Sequence, residues 1–195
     1  WRQRLGLDMS GSLAVFVGRL SPEKGLSDLV GAWKRVQSEL PDARLAIVGD
    51  GPQAAELRVL SADQPSIIWA GATNEPQRYL HAADLFVLPS REEGMSIALL
   101  EAMAAGLPIV TTDIPGNRGL IESGRHGLLV PPKRPDQLAK SMLVQLQART
   151  LAAAMGRAAR ERVGEEFSIT QMAQRHVKLF QAFVAKEKAR YNSAP

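Results

Sequence analysis

Short apolar runs alternate with segments of helical period along most of the chain, and this alternation constrains the fold more than any other feature. Leu13-Ala14-Val15-Phe16-Val17 is continuously apolar and ends at Gly18. Leu26, Leu29, Val30, Trp33, Val36 and Leu40 then recur at spacings of three and four, the mark of an amphipathic helix. Pro41-Asp42 stops it. The same alternation predicts further strands over 45–48, 66–69, 84–88, 108–112 and 127–130, with helices over 53–60, 75–83 and 96–105 between them. Helical segments fill 135–147, 150–163 and 168–186, and residues 192–195 are expected to fray. Strands that are apolar without alternation need cover on both faces, and strands separated by helices need crossover connections. Six of them imply an α/β fold with a doubly wound, mostly parallel six-stranded sheet. Ligands of such sheets sit beyond the carboxyl ends of the strands, at a switch in strand order. The loops that follow the strands are therefore the expected working edge.

Composition removes several alternatives. The 195 residues include no Cys, which excludes a disulfide scaffold and thiol chemistry. The longest apolar runs, such as 96–107, are interrupted by Glu101 and are too short to cross a bilayer. Trp1-Arg2-Gln3-Arg4 does not lead into the apolar stretch of a signal peptide. Without an initiator Met the chain reads as a piece of something longer, with residues 1–12 as a linker remnant. The net charge of +4 is unevenly spread. Residues 1–132 carry 12 basic and 15 acidic groups, whereas residues 133–195 carry 12 basic and 5 acidic ones. The basic character thus belongs to the tail. Aromatics are only 5%, so the basic stripe with interleaved aromatics that nucleic acid binding needs is missing, and no nucleic acid partner is expected.

Two loops on the expected edge carry the chemistry. The first, Gly18-Arg19-Leu20-Ser21-Pro22-Glu23-Lys24-Gly25, places two cations and two glycines between a strand and a helix. Glycine lets backbone N–H groups approach an anion, and a helix N-terminus favours negative charge. Arg19 and Lys24 would neutralise two phosphate charges; a solvated turn with surface charges accounts for the same residues. The loop matches neither the Walker loop nor the dinucleotide fingerprint.

The second runs from Pro89 to Gly106. Glu93 falls just before a helix and Glu101 about a turn and a half inside it, flanked by Leu99, Leu100, Ala102 and Met103. A carboxylate in so apolar a helix is costly unless it is paired or hydrogen-bonded. Sugar or ribose hydroxyls are natural partners, because an ionised carboxylate only accepts. Free N–H groups near Met95, Ser96 and Ile97 would hold a pyrophosphate. The plainer alternatives are a helix-start carboxylate for Glu93 and a buried ion pair for Glu101.

Gly-Arg-Leu-x-x-x-Lys-Gly, Val-Gly-Asp-Gly, Ala-Asp-Leu-Phe-Val-Leu-Pro-Ser and Glu-Gly-Met-Ser-x-x-x-Leu-Glu-Ala-Met-Ala-x-Gly-x-Pro follow one another in this order. The ordered set, over roughly 12–165, resembles the retaining glycosyltransferases of the GT-B fold, and more narrowly their group 1 family, also called family 4. Glu93 and Glu101 match that family's Glu-x7-Glu signature. The resemblance implies a Rossmann-like nucleotide-sugar-binding domain over 13–165, followed by a C-terminal helix and tail over 166–195. It implies that Arg19 and Lys24 bind the donor's diphosphate and stabilise the departing nucleotide. Glu93 would meet the transferred sugar and Glu101 the ribose hydroxyls. Gly18 and backbone groups at Gly94, Met95, Ser96 and Ile97 would contact the pyrophosphate and sugar, and Thr73 and Arg78 lie in the region that holds the base. Gly49, Asp50 and Gly51 line the same rim or form only a tight turn. Arg19, Lys24 and Glu93 are the expected catalytic residues.

The same resemblance implies the donor half of a two-domain enzyme that moves a sugar from a nucleotide sugar to a saccharide or lipid-linked acceptor, as in bacterial surface polysaccharide or glycolipid assembly. A UDP-sugar is favoured over a GDP-sugar by family frequency. No Asp-x-Asp pair occurs, and His81, His126 and His176 lack metal-ligand spacing, so no metal is expected to be required. The acceptor half would precede Trp1, and the chain alone would transfer nothing. Where many relatives place a Glu after the fifth strand this chain has Gly119, with Asn117 or Arg118 as substitutes. Cytoplasmic placement is expected, and three readings stay open for the basic tail. It faces a missing partner domain, it sits against an anionic membrane through Arg175, Lys178, Lys186, Lys188 and Arg190, or it is a solvated helix. A non-catalytic nucleotide-sugar-binding module of the same fold is the alternative to an enzyme, with a sugar phosphorylase or epimerase behind it.

Overall fold

The computed structural model describes residues 1–5 and 11–192. Part of the expected linker remnant (6–10) and most of the expected frayed end (193–195) lie outside the described residues. The chain divides into two units, residues 1–160 and 161–195.

The first unit is a sheet of β1 (Leu13–Val17), β2 (Arg44–Val48), β3 (Ile67–Gly71), β4 (Leu85–Leu88), β5 (Ile109–Thr112) and β6 (Leu128–Val130). All pairings are parallel, in the order β3-β2-β1-β4-β5-β6. Every residue of β1, β4 and β5 is buried, as strands covered on both faces must be. The order turns between β1 and β4, because β2 and β3 extend the sheet one way and β4 to β6 the other. That turn opens a crevice above the carboxyl ends of β1 and β4.

The helices that cover the sheet are α1 (Leu26–Glu39), α2 (Ala54–Leu60), α3 (Gln77–Ala82), α4 (Ile97–Ala104), α5 (Pro115–Arg118), α6 (Pro135–Gln147) and the start of α7 (Arg149–Glu166). The alternating pattern anticipates all of them but α5, a single turn with too few residues to show a period. On α1 the buried residues are Leu26, Leu29, Val30, Ala32, Trp33 and Val36. The indole N–H of Trp33 donates to Ser66 Oγ at 2.9 Å, so the largest core side chain also satisfies its one polar atom. At the amino end of the sheet, Asp84 accepts from the backbone N–H of Leu13 at 2.7 Å and pairs with Arg2, whose Nε donates to the Ala82 carbonyl at 2.8 Å.

The second unit contains the end of α7 and all of α8 (Ile169–Asn192). Ile169, Met172, Val177, Leu179, Phe180, Phe183 and Val184 are exposed on α8. Among the described residues no helix is long and apolar enough to cross a membrane.

Candidate functional site

The loop after β1 and the loop after β4 meet at the crevice. Lys24 closes a short 3-10 turn, Pro22–Lys24, and Gly25 follows it in the left-handed region at φ 65°. A Cβ on Gly25 would lie 2.2 Å from the carbonyl oxygen of Pro89, so the close approach of the two loops requires glycine there. The loops are also tied by the Arg91 N–H, which donates to the Glu23 carbonyl at 2.7 Å, and by the Arg91–Asp28 ion pair at 3.1 Å.

Within this junction Lys24 Nζ donates to Glu93 Oε1 at 2.6 Å. Ser90 Oγ donates to the same oxygen at 2.7 Å. The Glu93 side chain is only 8% exposed, so its charge is held by a cation and a hydroxyl rather than by bulk water. Two of the expected site residues, 69 positions apart in sequence, are thus in direct contact.

Beside the junction, at the ends of β1, β2 and β3, a pocket of about 250 Å³ is lined by Gly18, Arg19, Gly49, Asp50, Thr73 and Pro76 among others. Arg19 is exposed and forms no ion pair among the described residues. Glu23, next in the same loop, has its carboxyl held below the usual range, first by the Ser21 hydroxyl and then by its own backbone N–H, with Lys24 and Arg19 adding to the effect. Gly49 and Asp50 line the pocket, while Gly51 belongs to the tight turn, packed against the Leu20 backbone.

Ser96 caps α4, its Oγ accepting from the Leu99 N–H at 3.3 Å. Helix geometry leaves the N–H groups at the start of α4 without intrahelical acceptors, and Met95 and Ile97 flanking them are exposed. Gly94 sits in the open there.

Four expectations are placed differently. Glu101 is not buried: α4 turns Leu99, Ala102 and Met103 inward and Glu101 outward. It lines an open cleft with Gln77, Leu80 and His81 of α3, so its carboxylate has no burial to offset. Arg78 does not line the pocket that contains Thr73. It pairs with Glu75, and its guanidinium lies over the Trp1 ring at 4.9 Å. Both substitutes for the absent Glu are engaged with neighbouring residues. Asn117 is 0% exposed, donating to Thr111 Oγ1 at 2.8 Å and to the Thr112 carbonyl at 3.0 Å. Arg118 pairs with Asp113 at 2.6 Å, which holds that carboxyl below its usual range. His126 is buried, with Nδ1 accepting from the Glu122 N–H at 3.2 Å. Among the described residues no cluster of three or more His, Asp or Glu could hold a metal.

Ser90 was not singled out from the sequence. The available signal was a hydroxyl three residues before Glu93, at the end of a buried strand.

Residues 11–148 match the family described as glycosyl transferases group 1. The chain belongs to that family. It is 39% identical over 142 residues to a Bacillus subtilis protein that carries the name teichuronic acid biosynthesis glycosyltransferase TuaC, a match covering 72% of this chain and 34% of that one. It is 31% identical over 190 residues to the alpha-maltose-1-phosphate synthase of Mycolicibacterium smegmatis, covering 90% of this chain and 49% of the relative. The chain therefore spans between a third and a half of these relatives. Among solved structures, S. aureus TarM in complex with fondaparinux, alpha-GlcNAc-glycerol and UDP superposes with a TM-score of 0.82 at 25% identity, over 87% of this chain and 35% of TarM. The six-stranded parallel sheet is thus one lobe of a GT-B fold.

Proposed function

We propose that residues 1–160 form the donor-binding half of a retaining glycosyltransferase and take a nucleoside diphosphate sugar. The observation that carries this reading is the Lys24–Glu93 contact above the β1/β4 switch point, beside a pocket lined by Gly18, Arg19 and Thr73. Glycosyl transfer builds negative charge on the departing phosphate. Cations aimed at it stabilise the transition state more than the ground state. Arg19 and Lys24 supply those cations, so the reaction as proposed needs no metal. Glu93 receives a sugar hydroxyl, and Glu101, open to solvent beside Gln77 and His81, receives the ribose hydroxyls. The N–H groups from Gly94 to Ile97 take the diphosphate oxygens.

A UDP-sugar is the favoured donor; the UDP bound to TarM supports it. The acceptor is a saccharide or a lipid-linked saccharide, held by a further domain that completes the cleft. The separate chain binds donor and transfers nothing. Between Ile169 and Ala185, α8 carries Arg175 and Lys178 and no acidic residue, which supports a peripheral contact with an anionic membrane surface.

Calorimetric titration of the chain with UDP, GDP and ADP tests the reading. UDP is expected to bind most tightly, and Arg19→Ala is expected to weaken it about tenfold, the loss of one charge-assisted contact. Absence of binding by all three at millimolar concentration overturns it.

A further inference from the structure

Glu93 Oε1 receives both donors, Lys24 Nζ at 2.6 Å and Ser90 Oγ at 2.7 Å, while Oε2 accepts no hydrogen bond among the described residues. One oxygen is saturated and the other is presented. A lysine on a flexible stem fixes charge but not direction. The short Ser90 side chain, by contrast, starts from backbone at the end of β4 and holds the carboxylate plane.

Ser90 is itself held from below. It is 0% exposed, and its carbonyl accepts from the Thr112 hydroxyl. The neighbouring Thr111 hydroxyl donates to the Leu88 carbonyl at 2.9 Å. Both hydroxyls keep their own protons for β4 because Asn117 Nδ2 donates one N–H to Thr111 Oγ1 at 2.8 Å and shares the other between the Thr112 carbonyl at 3.0 Å and Thr112 Oγ1 at 3.2 Å. A hydroxyl that accepts from an amide is left with its own proton for a carbonyl. Two parallel bridges therefore lock the end of β5 to the end of β4, immediately before the loop that carries Glu93. None of these residues reaches the crevice, and their burial makes the geometry costly to disturb.

We propose that Ser90 is the positioning residue for Glu93, supported by an Asn117–Thr111/Thr112 brace, and that this chain fixes Glu93 Oε2 for one hydroxyl of the transferred sugar. The assignment of the sugar to Glu93 rests on the donor-binding reading; the positioning itself does not.

The test has two arms on the full chain. In the first, no ligand is added, and amide hydrogen exchange is followed for Arg91, whose N–H shares a peptide unit with the Ser90 carbonyl and donates to the Glu23 carbonyl at 2.7 Å. Ser90→Ala and Thr112→Val are expected to speed exchange there about tenfold relative to the unmodified chain. The β2 amides are expected to be unchanged, and Ser90→Thr, which keeps the hydroxyl, to restore protection. In the second, UDP and UDP-glucose are titrated separately. Ser90→Ala is expected to weaken UDP-glucose about tenfold and to leave UDP within twofold, because only the sugar reaches Glu93. Unchanged exchange at Arg91 overturns the positioning role whether or not any nucleotide binds. Equal weakening of UDP and UDP-glucose overturns the link to the sugar. Failure of the unmodified chain to bind either nucleotide counts against the donor-binding reading, while the first arm still decides the role of Ser90.

Discussion

Gly116 packs against the backbone of Glu93 so closely that a Cβ added to it would lie 2.3 Å from the Glu93 carbonyl oxygen and 2.6 Å from that of Gly94. The clash is with backbone, which cannot swing aside as a side chain would. Gly116→Ala is therefore expected to cost about 1–3 kcal/mol, the usual range for overpacking. It should also displace the Glu93 loop. Denaturant unfolding and UDP-glucose titration of the variant check both, and a variant as stable as the parent would show that the two loops part easily.

The Lys24–Glu93 pair and the Lys34–Asp63 pair have similar lengths, 2.6 and 2.9 Å, but different surroundings. The first is largely enclosed and the second is mostly exposed. Lys24→Ala leaves a nearly buried carboxylate with only Ser90 as a donor and is expected to destabilise by about 1–3 kcal/mol. Lys34→Ala is expected to cost much less, because both partners of its pair face water. Thermal melts of the two variants side by side decide this, and similar losses would contradict it.

The Trp33 indole N–H has Ser66 Oγ as its acceptor inside the core. Ser66→Ala strands that donor where water does not enter. The expected loss is about 1–3 kcal/mol, from equilibrium unfolding. A loss near zero would mean that the indole finds another acceptor.

Four carboxyls, Glu23, Asp63, Asp113 and Asp136, are held below their ordinary range, each chiefly by one side-chain hydrogen bond: from Ser21, Lys34, Arg118 and Arg134 respectively. A group depressed in the folded state contributes stability that is complete above its unfolded pKa, about 4, and is lost as pH falls through the folded value. The melting temperature should therefore fall with pH only below about 4.5 on account of these groups. Because Glu23, Asp63 and Asp136 are exposed and Asp113 is only half-buried, each contribution is small and shrinks in high salt. Asp113→Asn should flatten the acid slope slightly; an unchanged slope in that variant removes Asp113 from the account.

Much of this was legible in the sequence because burial on both faces writes strands as unbroken apolar runs, and because glycines and prolines mark their ends. That Lys24 and Glu93 meet at one edge was legible because each lies in a loop at the carboxyl end of the sheet. The outward turn of Glu101 is read from the phase of its helix rather than from its apolarity: Leu99, Ala102 and Met103 share one face, and position 101 lies off it. Asn117 could not be placed, since a four-residue helix has no period from which to read an inward side. Ser90 depends on Thr112, 22 residues away, a contact that only the packed sheet creates.

The central pair of the sheet, β1 with β4, joins Ala14 to Leu85 across most of the intervening chain. Without a single hairpin, nothing local can seed that pairing, and closing so long a loop sets a slow step in folding. The crevice lies directly above this seam, so the binding edge exists only once the longest loop closure in the sheet has been made.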